Sequence, residues 1–371
     1  MSSTLPAGPA RCRRITWLAV QPTPYNGFLF AHLKKNVGIP IAVHYSRATI
    51  ADLPWKQEHH ESSDFFFQPG RRLQWGLLRR AARERDTLFV VAGWEHPTKV
   101  AVMFLRALRG LPFAIWTDTV RQPIGVFRDT IRTLVVRWLS RRAVAVLTTG
   151  QVGVDAFLRS GLAGPGARVV NFPFFVPLLA PPVRARSAND EIRFLVCGRL
   201  VERKGIDLAI KGLACSVRHS PVRMSLLVAG AGPEEAKLRA LAAAEGVADK
   251  VIFLGWVEAA DMPAVREKAD VLLHVVPSHD PFPVAVLEAM ASGLPVVASP
   301  LAGSAVERVQ DGISGFVIPP DPVELGAMMT RFAICPKLAG EMGRAARAVA
   351  EGWPVERGAE IIRRILEHNA T

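Results

Sequence analysis

The sequence holds 371 residues, half of them apolar and 21% charged, which rules out a disordered chain and exceeds a single ordinary domain. Its formal net charge is +13, yet residues 1–180 hold 24 Lys and Arg against 10 Asp and Glu, while residues 181–371 hold 22 against 23. An excess confined to the first half favours an anionic partner: nucleic acid, anionic lipid or a phosphorylated substrate. A coding bias toward arginine accounts for Arg over Lys and not for the asymmetry.

Short apolar runs alternate with helical periods along the chain. ITWLAV (15–20) reads as a buried strand, NGFLFAHLKKN as a helix and IPIAVHYS (39–46) as a strand, whereas residues 51–70 show no clear period. QWGLLRRAARER is helical, TLFVVAG (87–93) a strand, and PTKVAVMFLRALRG a helix stopped at Gly110. PFAIWTD (112–118), AVAVLTT (143–149) and ARVVNFP are strands, separated by the helices RDTIRTLVVRWLSRR and GQVGVDAFLRSG. The proline-rich stretch 173–190 reads as a linker. The alternation then restarts with the strands IRFLVCG, MSLLVAG, KVIFLG, DVLLHVVPS, PVVAS and GFVIPP, interleaved with helices. The pattern predicts an α/β chain of two doubly wound parallel-sheet domains, over 12–180 and 190–350. Ligands in such folds bind at the carboxyl ends of strands, and the cleft between two facing domains is the expected site.

Cys12, Cys197, Cys215 and Cys335 are far apart and make no Cys-x-x-Cys or Cys/His cluster. That pattern fits a reduced, intracellular protein without structural zinc. The six-residue run ITWLAV is too short for a signal-peptide core, and no segment reaches about 18 uninterrupted apolar residues. The expected location is cytoplasmic, with contact to a membrane surface through the basic half. Residues 71–85 carry Arg71, Arg72, Arg79, Arg80, Arg83 and Arg85 around Trp75, Leu77 and Leu78. At helical spacing Trp75 and Leu78 share one face, and Arg79 and Arg83 another. This is the pattern of a membrane-surface helix, or of a domain helix whose apolar stripe packs on the sheet.

Three segments bear chemistry. AGAGPEE (229–235) begins like a dinucleotide fingerprint but places Glu235 where Gly or Ala is required, so a tight strand-to-helix turn is the better reading. In VCGRLVERKGIDLAI (196–210) a strand ends at Gly198, and Arg199 and Lys204 lie in the loop before a helix. Two cations there suit a diphosphate, or are an ordinary solvated pair. In PSHDPFPVAVLEAMASGLPVVAS (277–299), Pro281 and Pro283 remove two N–H donors, while Phe282, Val284 and Ala285 keep theirs at the start of a helix, where an anion is favoured. Glu288, a turn further in, suits the hydroxyls of one sugar, and Asp280 before the helix those of a second. Two carboxylates around an anion-binding helix end suit a nucleotide sugar.

CGRLVERKG, LLVAGAGPEEAKL, KVIFLGWV, the 277–299 segment and GFVIPPDPVELG together resemble the donor-binding domain of glycosyltransferase family 4, of the GT-B fold. The resemblance is strong over roughly 190–330 and weaker over 12–180. The family signature of two glutamates separated by seven residues is kept in spacing, with Asp280 in the first place and Glu288 in the second. The resemblance implies that Glu288 binds the nucleotide ribose, that Asp280 meets the donor sugar, and that Arg199 and Lys204 bind the diphosphate. Asp in place of Glu is shorter by one methylene, which bears on donor choice. In the first domain only Gly27 remains where the family often has a glycine pair. Where the family often has a His at a strand end, this chain has Trp116, Thr117 and Asp118; Asp118 either serves the acceptor or caps a helix. His96 also lies beyond a strand end, where a histidine is more often structural. EGWPVERGAEII resembles the family's last helix, about 352–371, which crosses back onto the first domain.

The activity implied is retaining transfer of a sugar from a nucleoside-diphosphate sugar by a front-face mechanism. Catalysis then rests on Arg199, Lys204, Asp280 and helix-end amides. No Asp-x-Asp motif is present, so no metal and no cofactor beyond the sugar-nucleotide co-substrate is expected. The expected acceptor is a glycan or a lipid-linked precursor of a bacterial surface polysaccharide, at an anionic membrane surface. A GT-B sugar-nucleotide epimerase and a non-catalytic sugar-nucleotide binder are the alternatives. A nucleic-acid-binding role is suggested by charge alone, and no zinc finger, RNP-like aromatic motif or helix-turn-helix spacing supports it.

Overall fold

Two separate parallel sheets carry the strand–helix alternation. The computed structural model describes residues 12–47, 64–117, 126–179, 191–335 and 337–368. The chain divides into two compact units: one runs to Phe174 and takes up the chain again from Val355, and the other spans Phe175–Pro354.

The first unit follows the order β1 (Arg14–Ala19), α1 (Pro24–Asn36), β2 (Ile41–Tyr45), β3 (Asp64–Phe66), α2 (Trp75–Arg83), β4 (Thr87–Ala92), α3 (Pro97–Leu108), β5 (Phe113–Thr117), α4 (Val126–Arg142), β6 (Ala145–Thr148), α5 (Gly150–Arg159) and β7 (Val169–Asn171). Among the described residues the sheet order is β3-β2-β1-β4-β5-β6-β7, with every pairing parallel. Trp17 pairs with Val43 on one side and Val90 on the other, so β1 is central and buried on both faces, which is why it reads as an unbroken apolar run. Trp17 meets Trp116 edge-on at 5.3 Å and Phe30 at 5.2 Å in an aromatic core.

The second unit runs β8 (Ile192–Cys197), a single 3₁₀ turn (Glu202–Lys204), α6 (Ile206–His219), β9 (Met224–Ala229), α7 (Glu235–Ala244), β10 (Val251–Gly255), α8 (Met262–Lys268), β11 (Val271–His274), α9 (Val284–Ala291), β12 (Val296–Ala298), α10 (Gly303–Arg308), β13 (Gly315–Val317), α11 (Pro322–Ile334) and α12 (Leu338–Glu351). Its sheet order is β10-β9-β8-β11-β12-β13, again parallel. The last helix, α13 (Glu356–His368), belongs to the first unit, where it packs on α1 and buries Gly358, Ala359, Ile362 and Ile365.

Several elements differ from the sequence reading. β3 lies within a stretch without a clear period: three residues are too few to show alternation, and pairing with β2 creates the strand. α10, at six residues, is too short to show a helical period in the sequence. α2 starts only at Trp75 and buries Leu77, Leu78 and Ala81 in the core. Trp75, 62% exposed, therefore shares the solvent face with Arg79 and Arg83 and not the face of Leu78. Among the described residues no helix is long and apolar enough to cross a membrane.

Candidate functional site

In the second sheet the chain steps outward from β8 through β9 to β10, then returns to the far side of β8 for β11, β12 and β13. The neighbours β8 and β11 therefore carry their following loops in opposite directions, which opens a crevice at their carboxyl ends. The sequence-predicted residues collect on the loops and helices after these two strands. Gly198 and Arg199 directly follow β8, and Lys204 closes the 3₁₀ turn. Phe282 precedes α9, and Val284, Ala285 and Glu288 lie in it.

The glycines explain how closely these loops pack. At Gly230 a Cβ would lie 1.9 Å from the Gly198 carbonyl oxygen, and at Gly205, which has φ +64°, 2.2 Å from that of Val275. The Gly-x-Gly after β9 thus serves backbone contact with the Gly198 loop. Gly205 presses the Lys204 turn against the loop that follows β11.

Asp280 is buried, and its carboxylate is shared. Lys204 Nζ donates to Oδ2 at 2.5 Å, and His274 Nε2 lies 3.0 Å from the same oxygen. Arg203 reaches within 4.0 Å of Oδ1. Burial opposes ionisation of Asp280, but the hydrogen bond from His274 and the charge of Lys204 outweigh it, so the carboxyl is held well below its ordinary value. Burial also lowers the His274 imidazole, leaving a neutral ring that donates through Nε2.

Glu288 is the one charged residue of α9, VAVLEAMA, whose Val286, Leu287, Ala289, Met290 and Ala291 are buried. It leaves 32% of its side chain exposed and accepts from Arg266 Nη1 at 3.0 Å. Burial raises its carboxyl above the ordinary value, and Arg266 pulls it back. Arg266, on α8, also donates through Nε to Ser292 Oγ at 2.9 Å. Cys197 belongs to the same neighbourhood: burial, with Glu288 nearby, pushes its thiol up to about 12, so it is inert as a nucleophile.

In the first unit the same topological step falls between β1 and β4. Gly27 lies in α1, which follows β1, and a Cβ there would meet nothing within 4 Å. His96 caps α3 after β4, its Nδ1 accepting from Thr98 N–H at 3.2 Å, a structural use of the ring. Asp118 lies outside the described residues. Beside His96, Lys99 is fully buried and donates to Ala92 O at 2.7 Å and Glu95 Oε1 at 2.5 Å. Ser46 Oγ donates to the same Glu95 oxygen at 2.7 Å. Burial lowers Lys99 to about 8 against the pull of Glu95.

Sequence reasoning missed His274, Arg266 and the Ser46–Glu95–Lys99 cluster. The available signals were a histidine ending an otherwise apolar strand and a lysine in the first turn of an apolar helix; neither names its partner.

Residues 183–349 match the family model described as "Glycosyl transferases group 1". The 2-deoxystreptamine glucosyltransferase of Streptomyces kanamyceticus is 28% identical over 219 residues, 53% of this chain and 54% of that protein. The GDP-mannose-dependent alpha-(1-6)-phosphatidylinositol monomannoside mannosyltransferase of Mycolicibacterium smegmatis is 32% identical over 224 residues, 54% of this chain and 57% of that protein. The chain thus spans little more than half the length of these relatives. In fold it is similar to Anabaena HepE in complex with UDP, with TM-score 0.74 and 19% identity over 96% of this chain and 100% of that one. The sucrose-phosphate synthase of Thermosynechococcus elongatus gives TM-score 0.71 and 20% identity over 96% and 98%. Residues 183–349 are therefore similar to the group 1 glycosyl transferases, within a chain whose two parallel-sheet units have the GT-B fold.

Proposed function

We propose that the protein is a retaining glycosyltransferase of family 4 that takes a sugar from a nucleoside-diphosphate sugar. The observation that carries this reading is the gathering of Gly198, Arg199, Lys204, Asp280 and Glu288 around the β8–β11 crevice. Glu288 accepts hydroxyls of the nucleotide ribose. Arg199, Lys204 and the amides of Phe282, Val284 and Ala285 face the diphosphate, whose charge grows as the glycosidic bond breaks. Asp280 offers Oδ1 to the transferred sugar. The first unit binds the acceptor, a glycan or lipid-linked precursor of a surface polysaccharide, through the ends of β1 and β4 near Gly27 and His96. Its basic surface holds the enzyme at an anionic membrane.

UDP is bound by a neighbour of the same fold, and a relative's name specifies GDP-mannose, so UDP, GDP and their sugars are the first ligands to try. Thermal unfolding with each should show one that stabilises by about 2.7 kcal/mol at 100 times its dissociation constant. K204A and R199A should then lose about 100-fold in turnover at saturating donor. Full turnover in either would remove that cation from the chemistry. Binding without transfer or donor hydrolysis would make the protein a sugar-nucleotide binder.

A further inference from the structure

His274 ends the strand VLLH and is 4% exposed, a place where the core needs only an apolar side chain. Its Nε2 instead lies 3.0 Å from Asp280 Oδ2, the oxygen that also receives Lys204 Nζ. The Asp280 backbone is tied at both ends: its N–H donates to Leu301 O and its carbonyl accepts from Gly303 N–H, each at 2.9 Å. A Cβ at Gly303 would lie 1.9 Å from Pro281 O, so the loop has no room to shift there. The freedom left to Asp280 is rotation of its carboxylate. A second donor on Oδ2 removes it and leaves Oδ1, 4.0 Å from Arg203, as the oxygen that neither Lys204 nor His274 holds.

We infer that His274 is a positioning residue: it orients the Asp280 carboxylate, which in turn holds the Lys204 ammonium where a diphosphate would arrive. The inference rests on the functional reading above. A cation fixed in advance meets developing charge without reorganising, so the effect belongs to turnover more than to donor affinity. Burial keeps the ring neutral, which spares Lys204 a second positive charge across the shared oxygen.

The test uses the full chain with H274L, which keeps volume and removes the donor, H274Q, whose amide nitrogen reaches as far as Nε2, and H274N, whose amide does not. Acylation of Lys204 by acetic anhydride, read by peptide mass spectrometry, reports the anchor independently of any activity. H274L and H274N should raise the Lys204 rate at least threefold and H274Q should restore it. With UDP-glucose or GDP-mannose, whichever the wild type turns over, H274L and H274N should lose at least tenfold in kcat. Donor KM should stay within threefold, and H274Q should recover most of kcat. In a D280N background, H274L should add no further loss. Unchanged Lys204 reactivity in H274N, equal losses in H274Q and H274N, or additive losses with D280N would each overturn the inference. Should H274L not fold, the H274Q and H274N pair still decides. Should the wild type turn over neither sugar nucleotide, the functional reading fails, while Lys204 reactivity still decides the His274–Asp280–Lys204 link.

Discussion

Arg266 and Glu288 face each other at 3.0 Å, joining α8 to α9, and the guanidinium partly compensates a carboxylate that the apolar helix would otherwise neutralise. An acceptor kept in this way, a third exposed, suits hydroxyl groups. E288Q should weaken binding of the nucleotide by about 1.5–3 kcal/mol, roughly 10- to 100-fold, with the fold intact. Unchanged affinity by calorimetry would take Glu288 out of the site.

Two glycines separate architecture from function. G230A should destabilise by about 3 kcal/mol, because the new methyl meets the Gly198 carbonyl at 1.9 Å and φ there is +153°. Gly27 sits inside α1 with open space before it, so G27A should stabilise by about 0.5–1 kcal/mol. If Gly27 borders substrate as proposed, transfer should fall even as the melting temperature rises; a more stable and fully active G27A would free it of any such role.

Lys99 carries a stability signature with a definite sign. Its folded value, about 8, lies below the ordinary 10.5, so the unfolded chain holds a proton that the folded one has lost between these values. Stability relative to K99M should therefore rise with pH above about 8, by roughly 2 kcal/mol at pH 9.5. Denaturation curves for both proteins at pH 7.5 and 9.5 read the difference. A gap that stays constant would place the Lys99–Glu95 pair in a more polar setting than its burial indicates.

The solvent face of α2 sets Trp75 beside Arg79 and Arg83. Vesicles containing anionic lipid should bind the protein at low salt and release it as screening shortens to about 3 Å at 1 M. R79E with R83E should reduce that binding and leave nucleotide affinity unchanged. Equal partitioning onto neutral and anionic vesicles would dissociate the charge asymmetry from membranes.

By itself the sequence determined the parallel α/β architecture, because central strands such as β1 and β4 are buried on both faces and read as nearly unbroken apolar runs. It also determined the spacing of Asp280 and Glu288, since a loop and one helix span them. Pairing between distant segments was left to the tertiary structure. Nothing in DVLLHVV says that His274 meets a carboxylate six residues on, or that Lys204, 76 positions before Asp280, shares its oxygen. Arg266 was likewise an ordinary helix cation until α8 packed beside α9. A short strand such as β3 exists only through its pairing with β2. Local periodicity records which face of an element is dry. Which charges neutralise each other inside is fixed only once the sheet order brings the loops after β8 and β11 together.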